Sequence, residues 1–148
     1  AGPNPYKVII VLEELGIPYN KIVVENPKED WFLALNPNGR VPAIIDPNNN
    51  DLTIWESGAI LEYLIALYDQ DGKLTVEDAM GKWHLKQYLH FQMSGQGPYF
   101  GQAVWFHRCS DDIPIGKQRY LEQTVRVFEV LDNILMEKEY LIGNKWSV

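Results

Sequence analysis

The sequence predicts a mixed α/β half followed by an all-helical half. Three observations predict it. Up to residue 68, apolar patterns follow the order helix, strand, helix, strand, strand, helix. Residues 69–74 (Asp-Gln-Asp-Gly-Lys-Leu) form a polar, glycine-containing linker and the best domain boundary, dividing residues 1–68 from residues 75–148. Beyond that boundary no strand signal remains.

Asn4-Pro5 places Asn at an N-cap and Pro at the first helical position. Val8, Val11, Leu12 and Leu15 follow at helical spacing until Gly16 and Pro18 stop the helix. Residues 21–24 (Lys-Ile-Val-Val) read as a short strand. Residues 26–30 lead into a short helix over 31–35, ended by Asn36-Pro37-Asn38-Gly39. Residues 41–45 (Val-Pro-Ala-Ile-Ile) suit helix or strand by composition; the flanking Pro and the Asn-rich loop select a strand. A second hairpin strand and a helix from Ser57 to about Tyr68 complete this half. Thr75-x-x-Asp78 reads as a capping-box start. One long helix then carries Met80, Trp83, Tyr88 and Phe91. The Gly/Pro cluster at 94–98 forces a break or kink, and the helix resumes through Trp105 and Phe106. Asp112-Ile113-Pro114 begins a last helix with Leu121, Val125, Phe128, Leu131 and Leu135 on one face.

With 148 residues, 46% of them hydrophobic, the chain can bury a core. No apolar run approaches the ~20 residues that cross a membrane, and no signal-peptide pattern occurs. A single cysteine, Cys109, excludes an internal disulfide and suits a reducing compartment. The net charge of −7 argues against nucleic acid. A cytosolic protein with no membrane or nucleic-acid partner is expected. Gly95, Gly97 and Gly101 lack dinucleotide-fingerprint spacing and a preceding strand. His84, His90 and His107 lack the i, i+4 spacing of a zinc helix, so no metal is expected. Asp111-Asp112 reads as a helix start. Cys109 is in no Cys-x-x-Cys pair, which excludes dithiol chemistry within this segment.

The densest chemistry lies between Arg40 and Gly58. A Pro at the first position of a strand leaves the preceding backbone groups free of the ladder. A helix starting at Ser57 offers unpaired N–H groups and a positive dipole end to an anion, and Glu56 ahead of it can hold a cation. One hairpin thus supplies backbone pairing, a carboxylate site and an ammonium site, the needs of a small zwitterionic peptide. Plainer readings stand beside these: Asn4 and Ser57 as ordinary helix caps, Glu56 as an exposed acid, Arg40 as a solvated turn residue.

The segments NPNGRVPAIID (36–46) and LTIWESGAILEYL (52–64) resemble the glutathione-binding core of the glutathione transferases, a thioredoxin-like domain followed by a helical one. The resemblance runs from Gly2 to Ser147. GPNPYKV (2–8) and FQMSGQGPYFGQA (91–103) resemble the fungal and bacterial branch that includes the yeast nitrogen-regulator prion protein. It implies a thioredoxin-like domain lacking its first strand, then a truncated helical domain. On this reading the chain is an internal fragment of a protein of ~200 residues or more.

The resemblance also implies roles. The Asn4 amide would donate to the sulfur of bound glutathione, where the helix dipole favours a thiolate; some bacterial members use a Thr at the position that is Gly2 here. A cis Val41-Pro42 bond would turn the Val41 backbone toward the cysteinyl unit. Arg40 would meet the glycyl end, Ser57 the γ-glutamyl carboxylate and Glu56 its ammonium. Tyr99 and Phe100 would wall an electrophile site, with simple core packing as the alternative; Trp105 is expected in the core. The expected protein is a homodimeric glutathione transferase with glutathione as co-substrate, no other cofactor, and a small electrophile as second substrate. The alternatives are a glutathione-dependent disulfide reductase or peroxidase, and a non-enzymatic interaction module.

Overall fold

The computed structural model describes residues 2–148; Ala1, the first residue of the predicted first domain, lies outside them. The described residues divide into two compact units, 2–75 with Val148, and Val76–Ser147.

In the first unit, α1 (Asn4–Glu14) buries Val8, Val11 and Leu12. Gly16, at φ 64°, reverses the chain where a Cβ would be strained, and Ile17 N donates back to Leu12 O. α2 (Asp30–Leu33) is a single turn that buries Phe32. β1 (Ala43–Asp46) and β2 (Leu52–Trp55) pair antiparallel, with Ala43 opposite Trp55 and Asp46 opposite Leu52. The hairpin turns through a 3₁₀ segment, Pro47–Asn49, and then Asn50 and Asp51 at φ 54° and 55°. Asn and Asp tolerate that left-handed region better than other residues with a Cβ, which is why the loop is rich in them. α3 (Ser57–Tyr68) packs on α1 and buries Ile60, Leu61 and Leu64.

The strand expected at residues 21–24 is not formed. The segment is irregular, Ile22 and Val23 are 73% and 74% exposed, and the one sheet among the described residues is β1–β2. β-branched composition favours a strand only where a ladder partner and a packing surface exist, and this segment has neither. Residues 69–75 complete the first unit. The Asp69 carboxylate accepts from the backbone N–H groups of Lys73 (2.6 Å), Leu74 (2.8 Å) and Thr75 (3.0 Å), and Leu74 is buried.

The second unit is helical: α4 (Ala79–Phe91), a π-helical turn at Gln92–Gln96, α5 (Gly97–Arg108) and α6 (Pro114–Leu135). α4 begins later than the Thr75 pattern predicts. Asp78 is its N-cap and accepts from Gly81 N at 2.7 Å, while the Thr75 N–H is taken by Asp69. The Gly/Pro cluster widens the helix rather than breaking it, with Gly97 N donating to Gln92 O. Pro98 falls in the first turn of α5, directly after the π-helical turn.

Between α5 and α6, Phe106 stacks on Tyr120 (centroids 5.2 Å apart), and Phe100 meets Phe128 at 5.1 Å. Gly116 makes room for this: a Cβ there would lie 2.3 Å from the Phe106 ring. The buried faces differ from those expected. Leu85 and Leu89 are buried on α4 while Met80 and Trp83 are exposed; Val127 is buried on α6 while Leu121, Val125, Phe128 and Leu135 are exposed. α6 is apolar on more than one side, so periodicity leaves its packed side open, and the rings meeting Tyr120 decide it. No described helix is long and apolar enough to cross a membrane.

Candidate functional site

Val41–Pro42 is a cis peptide bond, immediately before β1. Among the described residues, neither polar backbone group of Val41 pairs with another backbone group. The loop before it is fixed from inside. Asn36, 2% exposed, donates its side-chain amide to Arg40 O (2.5 Å) and accepts from Asn38 N (3.0 Å). The Arg40 side chain is exposed.

Extending the hairpin register one step past Ala43 and Trp55 sets Pro42 opposite Glu56. Glu56 has φ 71° and ψ 115°, a conformation costly for a residue with a Cβ. It, and not Ser57, is the N-cap residue of α3, and no side chain caps this helix. The unusual φ completes the turn out of β2, so the chain is already helical at Ser57. Ser57 is buried and its N–H belongs to the first turn, which has no intrahelical acceptor; the first such bond runs from Ile60 N to Glu56 O at 2.9 Å.

Asn4 likewise is not the cap of α1. Pro3 is already in the helical region (φ −70°, ψ −24°), so Asn4 is the first helical residue. It is half-buried at the positive end of α1, and its amide has no hydrogen-bond partner among the described residues. One turn on, Lys7 is half-buried. Burial lowers its pKa below the ordinary lysine value, with the nearby Glu56 carboxylate opposing. Sequence reasoning passed over Lys7, although its place in the Asn4, Lys7, Val8, Val11 stripe marks the α3-facing side.

A second group missed in the sequence locks the hairpin to α3. The buried Asp46 carboxylate accepts from Tyr63 Oη and Tyr68 Oη, each at 2.5 Å, and from Asn48 N at 2.9 Å. Asn49 Nδ2 donates to Tyr63 Oη at 3.1 Å. These bonds hold the Asp46 carboxyl below the ordinary carboxylate range, the Tyr63 bond contributing most. A Tyr-x-x-x-x-Tyr pair behind a strand-ending Asp is the only signal the sequence offers.

Tyr99 and Phe100 belong to the second unit. Both are half-buried: Tyr99 lies 6.4 Å from the Tyr120 ring with the Arg126 guanidinium 5.7 Å from its centroid, and Phe100 packs on Phe128. Trp105, expected in the core, is exposed and set edge-on to Phe106, because the α5 face that meets α6 carries Phe106 instead. An open depression of about 320 Å³ lined by Tyr88, Asn133, Ile134, Met136, Glu137 and Lys138 contains none of the predicted site residues. Cys109 Sγ donates to Phe106 O (3.3 Å) and Asp111 O (3.2 Å). Among the described residues no three His, Cys, Asp or Glu side chains gather as a metal site.

The family model for the glutathione S-transferase N-terminal domain matches residues 1–67. The chain is 46% identical over 158 aligned positions to a glutathione S-transferase-like protein of Aspergillus terreus, covering 99% of this chain and 70% of that protein. The chain belongs to the glutathione S-transferase family. It also matches the protein URE2 of Debaryomyces hansenii, at 36% identity over 93% of this chain and 47% of that one. The crystal structure of the glutathione transferase URE2P6 from Phanerochaete chrysosporium in complex with oxidized glutathione superposes with a TM-score of 0.95. Its identity is 44%, covering 99% of this chain and 70% of that chain.

Proposed function

We propose that the first unit binds glutathione and activates its thiol for attack on an electrophile, a glutathione transferase reaction. The observation that carries this is the juxtaposition of the cis Val41–Pro42 step with Glu56 at the head of α3. The Val41 backbone pairs with the cysteinyl unit. The Ser57 N–H and hydroxyl take the γ-glutamyl carboxylate at the positive end of α3, and Glu56 takes its ammonium. Arg40 faces the glycyl end. Asn4 donates its free amide to the sulfur, lowering the thiol pKa. The sulfur lone pair then forms the bond to the electrophilic atom, the leaving group departs with its bonding pair, and the thiol proton goes to solvent. Glutathione is the co-substrate and no other cofactor is required; the protein is a cytoplasmic homodimer.

A second reading, reduction of a disulfide by the bound thiolate, is favoured by one observation: the relatives URE2P6 and URE2P8 crystallised with oxidized glutathione. In it the sulfur attacks one disulfide sulfur and the other departs as thiolate. Asn4→Ala tests both. Thiol transfer to a chromogenic electrophile, or to a disulfide, should fall by about tenfold or more, the scale of one charge-assisted hydrogen bond, while glutathione affinity stays nearly intact. If neither changes, Asn4 does not activate the thiol and a non-enzymatic interaction module becomes the better reading.

A further inference from the structure

We propose that Lys7 is a specificity residue of the head-group site: its ammonium, facing Glu56 from α1, makes the site favour an amino group that brings its own carboxylate. This deepens the glutathione reading above and rests on it.

Lys7 stands where local chemistry disfavours a lysine. It closes the first turn of α1, whose N–H groups lack intrahelical acceptors, so a cation there opposes the helix dipole. It is also half-buried, on the side of α1 that buries Val8 and Val11 and packs on α3. Side chains on a helix lean toward its N-terminus, which carries the ammonium toward the Asn4 end of α1. The Glu56 carboxylate lies within electrostatic reach of it there, and offsets the effect of burial on the lysine only in part.

Glu56 is followed directly by Ser57, the buried first residue of α3, whose N–H has no intrahelical acceptor. The head of α3 thus gathers a carboxylate, a positive helix end and, from α1, an ammonium. A lone amine drawn to Glu56 meets the like charge of Lys7. An α-amino acid group carries ammonium and carboxylate on one carbon. Its ammonium takes up part of the attraction that Glu56 gives Lys7, and its carboxylate at Ser57 restores it. The charge pattern therefore selects a zwitterionic end over a simple amine, and a thiol peptide with an amine but no adjacent carboxylate is what Lys7 discriminates against.

The test is calorimetric titration of the full chain, Lys7→Met, Lys7→Gln and Lys7→Arg with two tripeptides. One is glutathione; the other is γ-aminobutyryl-cysteinylglycine, which is glutathione without its γ-glutamyl α-carboxylate. The ammonium is common to both, so its repulsion by Lys7 cancels in the ratio of the two dissociation constants, and the ratio reads the carboxylate alone. The wild type should prefer glutathione, and Ser57 should keep part of that preference in every variant. Lys7→Met and Lys7→Gln should each lower the preference by about two- to fivefold, the range of a partly screened charge pair; Lys7→Arg should keep it. A merely structural lysine would weaken both tripeptides together and leave the ratio as it is. An unchanged ratio in the variants without the charge, or a wild type that binds both tripeptides equally, overturns the assignment and leaves the glutathione site standing. A wild type that binds neither overturns the glutathione reading itself, and the Lys7 assignment with it.

Discussion

Replacing Asp46 with alanine removes the acceptor shared by Tyr63 Oη, Tyr68 Oη and Asn48 N. A hydrogen bond to a charged group contributes roughly 1.5–3 kcal/mol. Both tyrosines are half-buried, so water recovers part of each lost bond and the three do not add. The expected loss is about 2–4 kcal/mol of unfolding free energy. Asp46→Asn, which keeps the volume and one acceptor, should lose less. Urea unfolding followed by tryptophan fluorescence measures this, with an unchanged m-value showing that the unfolded state is the same.

The cluster also sets a pH window. The Asp46 carboxyl is depressed, first by Tyr63 and then by Tyr68. Its contribution is therefore complete above the unfolded value of about 3.9 and is lost as pH falls through the lower folded value. Tyr63 is raised by burial and then by Asp46; Tyr68 is raised by Asp46 and then by burial. Their contribution is complete below about pH 10 and is lost as pH rises through the folded values. Asp46→Asn should flatten the acid limb. An Asp46→Ala protein within about 0.5 kcal/mol of wild type, or an unchanged acid limb in Asp46→Asn, would refute the reasoning.

Two further predictions concern single residues. Glu56→Gly should raise stability by about 1 kcal/mol by relieving the positive φ, yet weaken glutathione binding as Glu56→Ala does, by roughly 1.5–3 kcal/mol; chemical denaturation and calorimetry read the two effects separately, and unchanged affinity in both variants sinks the ammonium site. Gly116→Ala should destabilise by about 1–3 kcal/mol because its Cβ meets the Phe106 ring, despite alanine's better helix propensity; a neutral or stabilising result in a thermal melt would show that the ring moves aside freely.

The hairpin and the helix after it were legible because backbone chemistry marks them: Pro42 before the strand, Asn50 and Asp51 where φ must be positive, Gly16 where α1 ends. Cap positions were misjudged by one residue at both Asn4 and Ser57. Side-chain type indicates that a helix starts, whereas the φ of Pro3 and Glu56 decides where. The packed side of α6 was illegible, since apolar residues surround more than one face and the selecting contact, Phe106 on Tyr120, is long-range. Asp46 was passed over for the same reason: it owes its role to tyrosines seventeen and twenty-two residues away that the fold brings to it.

The central claim is that the first unit is a glutathione site, and a thermal melt of the full chain with and without reduced glutathione tests it most directly. At ~100 times the dissociation constant, ligand adds about 2.7 kcal/mol of stability, equivalent to roughly 5–11 °C for a chain of this size. A cooperative transition moved upward by that amount is the predicted result. A cooperative transition that glutathione leaves in place would contradict the account.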